Sequence, residues 1–248
     1  MLKLFCVTVS TILLFLSPLI TLSASTETTE VKLDTEKVDL TGNNEDEHLT
    51  LKGMPLSDDS RYYQDLWVDI INNEEQWSIR YGGGYEPTIK IVHLKGTMAP
   101  HIYFKAQLTE DDHYQMTHHL HRFKDGKMSR ISLPQLDYLN ASITKQYEAL
   151  IQTSPTENAI KVDLSNYKEQ LNTILFDIKN EEKDKVPLWV DDNIAYNIIV
   201  LGNQDDHVLE SIIPIKTTKT GTVLGNIRTL WERKENQWIN VHTQWEKS

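Results

Sequence analysis

The 248-residue chain is poor in cysteine and short of positive charge. Its only cysteine is Cys6, which excludes an intrachain disulfide and a thiolate zinc site. Because Cys6 sits inside the apolar N-terminal run, nothing downstream can serve as a cysteine nucleophile. Lysine and arginine number 25 against 36 aspartates and glutamates, a formal charge of −11. Such a surface repels nucleic acid and anionic lipid headgroups, and no basic cluster reverses this locally. Also missing are a Lys-Ser/Thr after the glycine run Gly82-Gly83-Gly84, a G-x-S-x-G elbow, an H-E-x-x-H zinc helix and the spacing of a calcium loop around Asp191-Asp192 or Asp205-Asp206.

Long apolar runs are absent except at the start. Residues 4–26 carry no charge and follow Lys3, with Pro18 breaking the run and Ser23-Ala24-Ser25 offering small residues to a signal peptidase. The expectation is a signal peptide over 1–25. Its removal leaves 223 residues with a charge of −12 and no thiol. The alternative is retention as a membrane anchor, since the run is long enough to span a bilayer. Either way the protein works outside the cytoplasmic membrane, secreted or in the cell envelope, and without contact to the membrane once cleaved. An exported chain without disulfides points to a bacterial source, where the Asn140-Ala141-Ser142 glycosylation triplet is fortuitous.

Residues 26–56 are acidic and free of aromatics, which predicts a disordered linker. A helix is expected over 58–75, where Tyr63, Leu66, Trp67 and Ile70 share a helical spacing. Alternating apolar residues predict strands through 77–120, with a tight turn at Asp125-Gly126. Helices are expected again at 142–152 and at 165–180, the latter capped by Ser165. Strands follow at about 188–201, 207–216, 222–233 and 237–246. This order predicts an α+β fold, with antiparallel curved sheets packed on a few helices. Residues 57–141 form an N-terminal helix plus β-rich half and 142–248 a C-terminal α+β half.

Four motifs bear on chemistry. Ser142-Ile143-Thr144-Lys145 and Lys219-Thr220-Gly221 resemble two of the three signatures of penicillin-binding proteins and serine β-lactamases. Only 77 residues separate Ser142 from Lys219, and Asp191-Asp192-Asn193 lacks the serine of the middle motif. A helix start and a hairpin turn account for them. His119 and His121 alternate on a strand and are candidate metal ligands, with His93 or His101 as a third. An exposed polar strand face is the simpler reading. Tyr81-Gly82-Gly83-Gly84-Tyr85 reads as a flexible connection between strands.

The fourth motif is the last hairpin, Thr229 to His242. Its Trp231, Arg233, Trp238, Asn240, Val241 and His242 resemble the closing hairpin of the nuclear-transport-factor-like superfamily, which includes SnoaL-like enzymes. The resemblance implies a curved sheet around helices with a pocket, and no particular reaction. Strict alternation would place Trp238, Asn240, His242 and Gln244 on one face, opposite Ile239, Val241, Thr243 and Trp245. The first four are the candidate ligand-binding residues, because indoles with a few polar groups are how small-molecule pockets are lined.

The functional expectation is an exported soluble binding or adaptor protein for a small molecule or an extracellular protein, without a cofactor. The alternatives are a secreted hydrolase or isomerase built around His242, and a metal-dependent enzyme using His119 and His121.

Overall fold

The computed structural model describes residues 29–73, 75–110, 115–175, 184–202 and 206–248. The expected signal peptide lies outside the described residues. Of the described residues, 62 % are in strands and 5 % in helices. The fold is therefore mostly antiparallel β, and the expectation of an α+β fold with helices packed on the sheets is corrected.

Seven strands form an N-terminal meander: β1 (Val31–Val38), β2 (Glu47–Pro55), β3 (Tyr62–Ile71), β4 (Gln76–Leu94), β5 (His101–Gln107), β6 (Met116–Lys124) and β7 (Lys127–Ile131). The expected helix over 58–75 is instead β3. It buries Leu66, Val68 and Ile70 on one face. Trp67 lies on the other, with the Arg80 guanidinium 5.5 Å from its ring centroid. A strand covered on both faces loses strict alternation, and its apolar positions then imitate a helical stripe.

The expected disordered linker is likewise corrected. β2 alternates buried and part-exposed residues along its length, with Leu49 and Leu51 fully buried in the meander core beside Leu40. The buried Glu47 carboxylate closes the β1–β2 loop, accepting hydrogen bonds from the Leu40 amide at 2.7 Å and the Thr41 hydroxyl at 3.0 Å. Averaged composition hides this pattern, because the charges occupy the outward positions and the loop.

β4 spans 19 residues and pairs with β3 along its first half and with β5 along its second. The changeover falls at Tyr85, directly after Gly82–Gly84, so the expected flexible connection is a bend inside a continuous strand. A side chain at Gly83 would meet the Tyr62 hydroxyl at 2.3 Å. The bend folds the meander over on itself. Tyr81 from the first half of β4 then stacks on Phe104 of β5, with ring centroids 3.8 Å apart.

The C-terminal part holds a four-stranded sheet in the order β10-β9-β8-β11. Its strands are β8 (Asn140–Thr144), β9 (Glu148–Gln152), β10 (Ile160–Asp163) and β11 (Lys185–Pro187). The expected helix over 142–152 is the β8–β9 hairpin, whose Ala141, Ile143, Ala149 and Ile151 alternate into the core. Of the expected helix at 165–180, the described part is a 3₁₀ turn (Ser165–Tyr167) followed by α1 (Lys168–Leu175). Leu164, not Ser165, sits at the cap position of the 3₁₀ turn, and Asp163 accepts the Ser165 amide at 2.8 Å.

The remaining strands are β12 (Trp189–Val190), β13 (Ala195–Val200), β14 (Asp206–Lys216), β15 (Val223–Lys234) and β16 (Gln237–Lys247). β14, β15 and β16 are long and antiparallel, and α1 and the four-stranded sheet share a core with them. A short parallel ladder between β4 and β14 joins the two parts, through Asp206 opposite His93 and His207 opposite Leu94. Behind it lies a mixed core: Val92, Leu94, Tyr103, Leu120 and Ile131 from the meander against Tyr196, Leu209 and Trp231 from the C-terminal sheet.

Candidate functional site

The β15–β16 hairpin turns on Glu235 and Asn236, at φ 49° and 69°. Both lie in the left-handed region that tight hairpins require, although neither is the glycine usually found there. Along the ladder Leu230 faces His242 and Trp231 faces Asn240, so Val241 is an extra residue in a β-bulge.

The bulge divides the four candidate ligand-binding residues. Cross-strand partners share a face. Trp238 opposite Arg233 and Asn240 opposite Trp231 point to the inner face, together with Thr243 opposite Thr229 and Trp245 opposite Ile227. His242 and Gln244 point outward, where they are exposed and bond each other at 3.3 Å. The single face expected from alternation is thus two faces, and no carboxylate accompanies His242.

On the inner face, Trp231, Trp238 and Asn240 form one wall of an open cleft of about 540 Å³. The other walls come from loops that the sequence reading passed over: residues 134–138 between β7 and β8, and residues 153–155 after β9. Both indole N–H groups are committed. Trp231 donates to the Ser211 hydroxyl at 2.9 Å and Trp238 to the Ser132 carbonyl at 2.8 Å. Asn240 and Thr243 bond each other at 3.0 Å. By contrast, Gln135, Asp137 and Tyr138 make no hydrogen bond or ion pair with another described residue. The only ionisable acid or base in the lining besides Tyr138 is Asp137; lysine, arginine and histidine are absent from it. Proline beside polar residues at Pro134 and at Ser154-Pro155 was the available signal for these loops.

His119 and His121 do share a face of β6, with stacked rings 6.2 Å apart. That face turns into the meander core, and the simpler reading of an exposed polar strand is corrected. Tyr81 lies edge-on to His119 at 5.2 Å and tilted to His121 at 5.6 Å. Burial pushes both histidines down to about 4. The candidate third ligands do not join them. His101 pairs with Arg122 on the opposite face of the sheet, and His93 is exposed beside His207. Among the described residues no cluster of three or more potential metal ligands forms. Asp111, Asp112 and His113 lie outside the described residues.

His118, on the other face of β6, is a structural lock. The Tyr196 amide donates to its Nε2 at 3.3 Å, so Nδ1 carries the proton and donates to the Tyr103 hydroxyl at 2.8 Å. That hydroxyl in turn donates to the Tyr196 carbonyl at 2.8 Å. Burial lowers His118 to about 4 and keeps it neutral. The Ser142 and Lys145 of the penicillin-binding resemblance lie on β8 and its hairpin turn rather than on a helix.

Residues 137–246 match the family model of the YybI C-terminal domain, a family of unknown function. The match covers the core shared by α1, the four-stranded sheet and β14 to β16, together with the hairpin and most of the cleft. No curated protein and no solved structure matches the chain significantly.

Proposed function

We propose that this is an exported binding protein of the cell envelope or extracellular space, with its ligand surface in the cleft between the β15–β16 hairpin and the 134–138 loop. The observation that carries this reading is the set of uncommitted polar side chains, Gln135, Asp137 and Tyr138, facing a wall built from Trp231, Trp238 and Asn240. Apolar surface supplies affinity in such clefts, and a few free polar groups supply orientation. The lining, whose one carboxylate is Asp137, suits a neutral ligand that donates hydrogen bonds. It offers no cation to an anion, and the Arg233 guanidinium 5.2 Å from the Trp238 ring centroid weakens that ring's attraction for a second cation. Polar sugars and short neutral peptide segments have the right chemistry. Binding is favoured over catalysis because His242 faces away from the cleft and partners Gln244. Export is supported by Lys3, the uncharged run behind it and Ser23-Ala24-Ser25. Among the described residues no helix is long and apolar enough to cross a membrane.

A thermal-shift and NMR screen of neutral glycans and peptides against the full chain tests the cleft. Hits should be lost in Trp238→Ala and in Asp137→Ala and kept in His242→Ala. Hits that ignore Trp238 and Asp137 would move the site elsewhere, and a screen without hits would remove the ligand-binding reading.

A further inference from the structure

Where the meander meets the β15–β16 hairpin, two arginines gather without an ion pair to a described carboxylate. Arg233 lies on the inner face of β15 and is only 6 % exposed. Its guanidinium rests over Trp238 and makes no ion pair with a described residue. Arg122, on β6, donates from Nη1 to the Asn236 side chain at 2.6 Å, which ties it to the same hairpin. Its Nε is buried without a partner. His101 stands directly across the β5–β6 ladder from Arg122 and is 2 % exposed, with the Ala99 and Val92 backbone beside its ring. Burial, then Arg233, then Arg122 hold it down to about 4. The 95–97 loop closes over this corner so tightly that a side chain at Gly96 would meet the Arg233 carbonyl at 2.2 Å.

In a chain with 36 carboxylates and 25 lysines and arginines, acids are plentiful. Elsewhere they are used. Arg228 pairs with Glu210 and Glu246, and Lys216 with the buried Asp191. Lys95, in the same corner as the two arginines, is matched by Glu232, whereas Arg122 and Arg233 have no such partner among the described residues. A buried guanidinium without a counter-charge, as at Arg233, is costly, and the part-exposed Arg122 repels it. Guanidinium forks match the oxygen spacing of tetrahedral oxyanions and can hold one between them.

We propose that Arg122, Arg233 and the 95–101 segment with His101 form a binding site for a small tetrahedral oxyanion of the phosphate class. The site is separate from the cleft and uses none of its free polar groups. The oxyanion supplies the missing counter-charge and locks the hairpin onto the meander.

The test is thermal unfolding of the full chain at pH 7 in sodium chloride, acetate, sulfate and inorganic phosphate at matched ionic strength, with phosphate titrated by calorimetry. Phosphate should raise the melting temperature by roughly 5 °C at saturation, sulfate should do likewise, and acetate should act like chloride. Arg233→Gln and Arg122→Gln should each remove the phosphate response. Without phosphate each should be at least as stable as the parent, because one of two repelling charges is gone. Should Arg233→Gln not fold, Arg122→Gln carries the same test. Equal melting in phosphate and chloride would overturn the proposal. So would a phosphate response that survives both substitutions, or an equal response to acetate.

Discussion

Lowering the pH from 7 to 5 should cost this protein several kcal/mol of stability through three buried histidines. His101, His118 and His121 are each held down to about 4 against an ordinary value of 6.5, first by burial. Because the folded values lie below the unfolded one, the unfolded chain takes up protons first. Stability is therefore complete above about pH 6.5 and falls as the pH drops toward 4. One such group loses about 2 kcal/mol between pH 7 and 5, and three lose on the order of 5 kcal/mol. That is comparable with the whole stability of an ordinary domain. His119 is left out of the sum because it is only partly buried. Relief of the −11 self-repulsion acts in the opposite direction, without a specific site. Urea midpoints at pH 7, 6 and 5 measure the effect. His118→Gln keeps an amide near Tyr103 and Tyr196 but cannot titrate, so it should lower the pH slope by up to about 1.4 kcal/mol per unit. Equal midpoints at pH 7 and 5 would refute the reasoning, as would a folded-state NMR titration of His118 near 6.5.

Other outcomes are as direct. Leu49→Ala and Leu51→Ala should each cost roughly 2–5 kcal/mol by urea melts, and amides of 47–55 should exchange slowly; a disordered segment would show neither. Lys216→Met strands the Asp191 carboxylate, which is 4 % exposed, and should cost about 3–5 kcal/mol, largely recovered by adding Asp191→Asn. His242→Ala should change stability by less than about 0.5 kcal/mol, since the residue is exposed and bonds only Gln244. A fluorescent penicillin should leave no covalent adduct on Ser142, which lies on a paired strand.

Some of this architecture can be read from residue order. The long strands β14, β15 and β16 announce themselves by alternation over many residues. The β6–β7 turn does so by Asp125-Gly126, which adopt φ 52° and 73°. Where two faces of a strand are both covered, as at Leu66, Trp67 and Ile70, the period is blurred and a helix fits as well. Short strands such as β8 and β9 suffer the same ambiguity for lack of length. In β2 the signal was present at Leu49 and Leu51 but was diluted by the acidic residues around it. The facing of β16 was half legible: Trp238 and Asn240 share a face as alternation has it, while one extra residue at Val241 sends His242 and Gln244 to the other side. A bulge leaves no mark in the sequence. The partners of Trp238 and Asn240 across the cleft, Gln135 to Tyr138, are about a hundred positions away, and only the fold brings them near. The same holds for Arg122 and Arg233.

The parallel ladder between β4 and β14 is two residue pairs long, yet the apolar core behind it takes five buried residues from the meander and three from the C-terminal part. That imbalance makes the C-terminal part a tenant of the N-terminal one. Its backbone needs little from the meander, since β13 to β16 satisfy one another, but its Tyr196, Leu209 and Trp231 rely on Val92, Tyr103 and Leu120 for shelter from water. A chain that carried residues 137–246 alone would pair its strands correctly and still present an unsheltered apolar flank. Such a piece would need another cover for that flank, and the shape of the cover would decide how far the cleft beside Trp231 stands open.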